Sequence, residues 1–250
     1  MIPIGDDDSD RTTKPVVNWL LIAANVFVFV FVQGLGHNQR TTLAFATIPA
    51  EILTGRDLAQ PIAVRDEYGR VVDQIEIPPT PIPVYWTLLT SMFLHGGIAH
   101  IFGNMLYLGI FGDNVEDRLG HGRYLLFYLL TGILASLAHV IVTAVSGANA
   151  FVPSLGASGA ISGVLGGYIV LFPRRRVRLL WLYSVIQAPA LVAIGVWFLF
   201  QLIAGAGSLG GEMGGVAYGA HVGGFLAGVV LIKLFAAGRA APARPVYPAY

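Results

Sequence analysis

Residues 124–173 decide the fold, and they read YLLFYLLTGILASLAHVIVTAVSGANAFVPSLGASGAISGVLGGYIVLFP. No Asp, Glu, Lys or Arg interrupts this run. A helix needs about 20 mostly apolar residues to cross about 30 Å of hydrocarbon, so the run is long enough for two membrane spans. We predict these spans at residues 124–145 and 156–172.

The rest of the chain also has the composition of a membrane protein. Hydrophobic residues make up 55% of the 250 residues and charged residues 12%, whereas about 25% of the residues in soluble domains are charged. The predicted fold class is therefore an all-α polytopic membrane protein. A net charge of +1, with no basic run interleaved with aromatics, argues against nucleic-acid binding. The lack of cysteine excludes disulfides, thiolate metal sites and cysteine nucleophiles.

Further apolar stretches predict spans at residues 15–34, 98–112, 189–206 and 215–235. Together with the first two, they make a bundle of six transmembrane helices over residues 15–236. Residues 179–188 are apolar as well, but Pro189 interrupts them, so we interpret them as a re-entrant or interfacial segment. The acidic segment 1–14 and the segment 237–250, which ends in Pro- and Ala-rich sequence, are predicted to be disordered tails.

A long polar loop, residues 35–97, joins the first two spans. It is predicted to be partly structured, with a short helix at 41–52 and an edge strand at 71–77. Six spans put both termini on one side of the membrane. That side then holds Arg11, Lys14, Arg118, Arg123, Arg174, Arg175, Arg176, Arg178, Lys233, Arg239 and Arg244. The loop holds only Arg40, Arg56, Arg65 and Arg70. By the positive-inside rule, the termini are predicted to be cytoplasmic and the loop external.

This topology places four polar side chains at a similar depth near the external face. His100 and Asn104 lie one turn apart on the second span, Ser158 begins the fourth, and His221 lies one to two turns into the sixth. A serine hydroxyl needs an adjacent base to act as a nucleophile. The pattern favours a dyad of Ser158 and His221, since the spans hold no carboxylate to orient the base. His100, Asn104 and the Ser158 backbone N–H are candidate donors to an oxyanion.

Other roles explain the same residues one at a time. The glycines around Ser158 and His221 form small-xxx-small patterns, which usually serve close helix packing. A zinc site built from His95, His100, His139 and His221 would lack both the H-E-x-x-H pattern and a carboxylate ligand. A transporter would usually carry coupling carboxylates within its spans. No cofactor and no metal is predicted.

Four motifs, in this order, resemble the signatures of the rhomboid intramembrane serine proteases. They read WTLLTSMFLHGGIAHIFGNM at 86–105, GDNVEDRLG at 112–120, GASG at 156–159, and AHVGG at 220–224 followed by Gly228. The resemblance covers about residues 15–236. It implies a six-helix fold in which Ser158 is the nucleophile and His221 the base. His100 and Asn104 carry over as oxyanion donors.

The resemblance further implies a serine endopeptidase that cleaves transmembrane segments of membrane proteins near the external face of a lipid bilayer. Glu116 and Arg118 would tie down a cytoplasmic turn, and the fifth span would be a lateral gate. One departure is Ser162, because many bacterial members carry there a Tyr that stacks on the catalytic His. Phe225 or another aromatic would then pack on His221. The alternative function is a non-catalytic rhomboid-like protein that binds client helices, and the expected location is a bacterial plasma membrane.

Overall fold

The computed structural model describes residues 2–59, 61–65, 70–208 and 217–239. Its helices are α1 (Val16–Phe27), α2 (Gln39–Phe45), α3 (Pro49–Thr54), α4 (Thr87–Thr90), α5 (Ile98–Leu119), α6 (His121–Ser146), α7 (Ser158–Leu171), α8 (Ala190–Ser208) and α9 (Tyr218–Phe235). Its strands are β1 (Ile2–Asp6), β2 (Pro61–Arg65), β3 (Val71–Glu76), β4 (Arg176–Trp181) and β5 (Ser184–Pro189). The predicted start of the sixth span at 215–216 and the tail residues 240–250 lie outside the described residues.

A long helix lies at each predicted span, with a π-helical turn, Val28–Val32, continuing α1. Helices α6 and α9 are long and apolar enough to cross a membrane, whereas α1 with its π-helical turn, α7 and the segment 190–206 of α8 are apolar but shorter. The described fold is thus mostly helical, and the number of six spans stays a prediction.

Helix α5 is longer than the predicted span, because residues 113–119 are helical and do not form the predicted charged turn. Asp113, Asn114 and Glu116 are all buried in this final part of the helix. Buried carboxylates need partners, and here other segments of the chain supply them. The charged residues therefore have no need of a solvent-exposed turn.

The backbone of α7 lies very close to that of α9. Every residue from 159 to 168 is buried. A side chain at Gly224 would meet the carbonyl oxygen of Gly159, and one at Gly228 would meet the carbonyl oxygen of Gly163. Small residues allow helices to approach in this way. The small-xxx-small patterns therefore do serve packing, and this packing also fixes the N-terminal halves of α7 and α9 relative to each other.

We expect Gly228→Ala to destabilise the protein by roughly 1–3 kcal/mol, the usual range for an overpacked core. The added Cβ would collide with the Gly163 backbone, which a rotamer change does not relieve. The matched control is Gly195→Ala on α8, where no described atom lies within 4 Å of the new Cβ. Thermal unfolding in detergent should show a lower midpoint for Gly228→Ala and an unchanged or higher one for the control. Equal midpoints would contradict the packing argument.

A three-stranded sheet corrects two predictions made from the sequence. β1 pairs antiparallel with β4, and β4 pairs antiparallel with β5, in the order β1-β4-β5. Residues 2–6 are therefore not part of a disordered tail, and residues 179–188 belong to a β-hairpin and not to a re-entrant segment. Burial alternates along Arg176, Val177, Arg178 and Leu179, which is the period of a strand. The all-α prediction overlooked this sheet, and the sequence predicted only one strand, 71–77, of the smaller β2–β3 hairpin.

The acidic residues of the N-terminal segment have partners on other elements. Asp10 forms an ion pair of 2.5 Å with Arg175, and both side chains are largely buried. Arg11 pairs with Asp113 at the end of α5. Asp6 accepts hydrogen bonds from Asn114, at 2.8 Å, and from the Tyr168 hydroxyl. The prediction of a disordered acidic tail was wrong because the opposite charges come from residues distant in sequence.

The partly buried Asp6 carboxyl gives the stability of this sheet a pH dependence. Burial raises the pKa of Asp6 to about 7, and the hydrogen bond from Tyr168 opposes that rise. Because this pKa lies above the ordinary value of about 3.9, the folded state binds the proton more tightly than the unfolded chain. The contribution of Asp6 to the free energy of unfolding is therefore fully present below about pH 4. It falls by about 4 kcal/mol at most as the pH rises to about 7.

We expect the apparent melting temperature of the wild type to fall between pH 5 and pH 8, and Asp6→Asn to reduce that fall by several degrees. The variant keeps a neutral side chain of the same size at every pH. Asp57→Asn, at an exposed position of the loop 35–97, is the control. Its melting temperature should fall between pH 5 and pH 8 as much as that of the wild type. An unchanged pH dependence in Asp6→Asn would contradict the assignment.

The loop 35–97 is folded against the segment that leads into α7. The predicted helix at 41–52 is two helices, α2 and α3, with an extended break between them, and the predicted strand at 71–77 is confirmed as β3. Thr47 pairs with Ser154 through hydrogen bonds of 3.0 and 2.8 Å. The Gly156 N–H donates to the Ser91 carbonyl at 2.9 Å. The loop thus holds the backbone just before Ser158.

Candidate active site

Ser158 is the first residue of α7, directly after a glycine turn. Gly156 has a φ of +126°, a conformation that favours glycine. A side chain at this position would lie 2.8 Å from His100 Nε2 and 3.6 Å from Ser158 Oγ. Glycine therefore keeps the space between these two groups open.

Ser158 and His221 are in direct contact. His221 Nε2 lies 2.8 Å from Ser158 Oγ, which is a hydrogen-bond distance. The contact joins α7 to α9 at the level where the glycines bring the two backbones together. A serine hydroxyl bonded to an imidazole is the arrangement that activates serine for nucleophilic attack.

The other ring nitrogen of His221 contacts a residue that the sequence analysis missed. His221 Nδ1 lies 2.8 Å from Oε1 of Gln201, a buried residue of α8. Gln201 is the only polar side chain between Ala190 and Gly207. A lone amide in an otherwise apolar helix was the available signal, because an unpaired amide is costly in an apolar environment.

His100 and Asn104 face the same cavity as Ser158 and His221. The cavity has a volume of about 360 Å³, and its lining also includes Gln201 and Trp197. Among the described residues, the buried Asn104 amide nitrogen has no hydrogen-bond partner. The Gly96 N–H donates to His100 Nδ1 at 3.3 Å, so the proton of a neutral His100 ring resides on Nε2. Both residues thus line the cavity that contains Ser158, and each carries a side-chain N–H.

Two aromatic rings of α8 and α9 lie near His221. Trp197 lies one turn before Gln201, with its ring centroid 6.2 Å from that of His221. The Tyr218 ring is edge-on at 6.3 Å. Phe225, suggested from the sequence, stacks instead on Phe198 at 4.0 Å. Ser162 donates a 2.7 Å hydrogen bond to the Ser158 carbonyl. Trp197 and Tyr218 are therefore the rings near the imidazole in a chain that lacks the usual Tyr.

The remaining histidines considered for a zinc site have separate positions. His95 is fully buried, and its ring lies edge-on to His100, with centroids 5.1 Å apart. His139 belongs to α6, where its backbone lies against Gly219. The part of the chain that the structure describes contains no group of three or more His, Asp or Glu side chains placed to hold a metal ion.

Comparison with known proteins gives a consistent picture. Residues 83–238 match the sequence model of the Rhomboid domain. The chain is 30% identical over 213 residues to "Rhomboid protease GluP" of Bacillus subtilis, an alignment covering 84% of this chain and 35% of that protein. It is 33% identical over 146 residues to "Rhomboid protein 1, mitochondrial" of Saccharomyces cerevisiae, covering 58% of this chain and 40% of that one. "RHOMBOID-like protein 4" of Arabidopsis thaliana is 31% identical over 58% of this chain and 33% of its own length. The chain thus spans well under half the length of each of these relatives.

Proposed function

Because the chain belongs to the rhomboid family, we propose that it is an intramembrane serine endopeptidase that cleaves transmembrane segments near their external ends. In this proposal Ser158 is the nucleophile and His221 its general base. The observation that carries it is the 2.8 Å contact between Ser158 Oγ and His221 Nε2. Some of the similar proteins are named proteases and others only rhomboid-like proteins, so the activity itself has to be tested.

The proposed reaction is acyl transfer to serine followed by hydrolysis. Ser158 Oγ attacks the scissile carbonyl carbon while His221 Nε2 takes the hydroxyl proton. The tetrahedral intermediate then collapses, the peptide C–N bond breaks, and His221 returns the proton to the leaving amine. Water repeats the same steps on the acyl-enzyme to release the acid and free the serine. Each step moves one proton through the imidazole.

Donors beside the serine would stabilise the oxyanion. His100 and Asn104 both line the cavity that contains Ser158, and the Asn104 amide nitrogen has no hydrogen-bond partner among the described residues. The backbone N–H of Ser158 lies at the start of α7, where it has no partner within the helix. Such preorganised donors are commonly the largest contribution to acyl-transfer catalysis.

The contacts among the helix ends support a six-span topology with both termini on one side. β1 pairs with β4, which follows α7 and precedes α8. Arg239, after α9, donates to the Leu119 carbonyl at the end of α5 at 2.9 Å. The start of α1, the end of α5, the α7–α8 connection and the end of α9 therefore meet at one end of the bundle. Six spans of alternating direction would bring these four segments to the same side of the membrane. The excess of Lys and Arg among them favours the cytoplasmic side for this end of the bundle.

The preferred substrates follow from access to the peptide bond. A helical backbone hides its carbonyls, so a transmembrane substrate has to unwind locally at the site. Glycine and other weak helix formers lower the free-energy cost of that unwinding by up to about 1 kcal/mol per residue relative to alanine. We therefore expect cleavage close to such residues.

The test uses the purified protein in liposomes with a labelled single-span substrate and a fluorophosphonate probe. Cleavage by the wild type, together with labelling that Ser158→Ala removes, would support the proposal. Labelling without cleavage would mean that the nucleophile is active and the substrate wrong. Neither labelling nor cleavage would favour the non-catalytic alternative that only binds client helices.

A further inference from the structure

Gln201 is a polar side chain in an unfavourable place. It lies on α8, whose neighbouring residues Leu199, Phe200 and Ile203 are exposed apolar side chains of an outer helix. The Gln201 side chain itself is buried and faces the cavity that contains Ser158. Burying an amide costs free energy unless its polar atoms are hydrogen-bonded. The position therefore calls for a specific partner.

That partner is the base of the proposed dyad. Gln201 Oε1 is only an acceptor, so at 2.8 Å it requires the proton to be on His221 Nδ1. A neutral imidazole with its proton on Nδ1 has a free lone pair on Nε2. Nε2 is the atom that lies 2.8 Å from Ser158 Oγ. The amide therefore selects the tautomer able to accept the serine proton.

We propose that Gln201 is the positioning residue of this site, holding His221 in the reactive tautomer and orientation in place of a carboxylate. This inference rests on the proposed function. In soluble serine proteases an aspartate does this and also stabilises the imidazolium that forms. An amide oxygen orients the ring in the same way but carries no charge, and a charged group is costly at this depth in a membrane. The site is then a triad whose third member is neutral.

The first experiment measures kcat and KM in liposomes for Gln201→Leu and Gln201→Glu. Gln201→Leu keeps a similar size and loses the acceptor, so kcat should fall by about 10- to 100-fold, less than the roughly 10⁴-fold effect of disturbing a charged third residue, while KM stays near the wild-type value. Gln201→Glu keeps an acceptor oxygen but no N–H donor, so it should recover most of the lost kcat. Ile203→Leu, on the exposed face of the same helix, is the control and should match the wild type.

These variants separate positioning from mere packing. Gln201→Glu with as little activity as Gln201→Leu would show that an acceptor oxygen at this position does not support catalysis, and the proposal would be overturned. Wild-type kcat in Gln201→Leu would overturn it as well. Melting temperatures of the variants report any general loss of folding.

A second measurement does not depend on catalysis. The ¹⁵N NMR shifts of the histidine rings, assigned to His221 by comparison with His221→Ala, distinguish the two neutral tautomers. The wild type should show the tautomer with the proton on Nδ1, and Gln201→Leu a mixture. The opposite tautomer in the wild type would overturn the positioning role, whether or not the protein cuts the chosen substrate. If only the proposed function is wrong, the protein will cut no substrate but His221 will still show the tautomer with the proton on Nδ1.

Discussion

Replacing His221 by alanine is expected to lower kcat for substrate cleavage by roughly 10⁴- to 10⁶-fold, and Ser158→Ala is expected to do the same. Without the imidazole, the serine hydroxyl has no acceptor for its proton. Without the hydroxyl, the imidazole has nothing to deprotonate. Residues that act as a unit show non-additive losses, so the double variant should be no slower than the slower single variant. Cleavage in liposomes, measured by gel over hours to days, covers this range of rates.

The control for this prediction is His37→Ala, which removes an exposed histidine of the loop 35–97. Its rate should equal that of the wild type. Melting temperatures of all variants would show whether the active-site changes affect folding. If Ser158→Ala cut its substrate at the wild-type rate, the nucleophile would have to be sought elsewhere. Independent action of Ser158 and His221 would instead make the two losses multiply. The double variant would then be slower than each single variant by the factor that the other single change costs.

Replacing Glu116 by alanine is expected to cost about 3 kcal/mol or more of stability, the largest loss we predict for a residue outside the cavity. Its carboxylate is fully buried and accepts three hydrogen bonds. The backbone N–H groups of Val17 and Asn18 donate to it at 2.9 and 2.7 Å, and His121 Nδ1 lies 2.5 Å away. The two backbone donors belong to the first turn of α1, where a helix has no internal acceptors. Alanine would leave them buried and unpaired.

Unfolding in detergent, followed by circular dichroism or a dye, measures this loss. Glu116→Gln keeps one acceptor oxygen and should fall between the wild type and Glu116→Ala. Glu76→Ala, at an exposed position of the loop, is the matched control and should stay within about 0.5 kcal/mol of the wild type. Identical midpoints for the Glu116 and Glu76 variants would refute the role of Glu116 as a clamp between α1 and α5.

Local hydropathy was sufficient to place the long helices. The runs at 124–145 and 156–172 contain no charge, and α6 and α7 lie there within a few residues of the predicted bounds. The period of a helix and the alternating direction of the spans then brought Ser158, His221 and the two donor candidates to one depth. Those inferences need only neighbouring residues, which is why the sequence supported them.

What the sequence did not predict depends on pairing between distant residues. The acidic run looked unpartnered because its partner Arg175 is more than 160 residues away. The predicted span at 189–206 did not identify Gln201 and Trp197, since their contact with His221 depends on how α8 packs against α9. The strand period at 176–179 was hidden because most of the residues that follow it are apolar. Each of these contacts is decided by which distant segments the chain topology brings together, and not by the secondary-structure preference of neighbouring residues.

The sheet that joins β1 to β4 also constrains the order in which the protein assembles. A ribosome completes β1 long before it reaches Arg176, and it makes α1 to α7 in between. Until then β1 lacks its partner strand β4, and Asp10 lacks its ion-pair partner Arg175. Pairing over such a sequence distance forms slowly because a long loop must close first. The helices α1 to α7 are therefore synthesised before the sheet can form. The sheet forms late, although β1 is among the first residues to be synthesised.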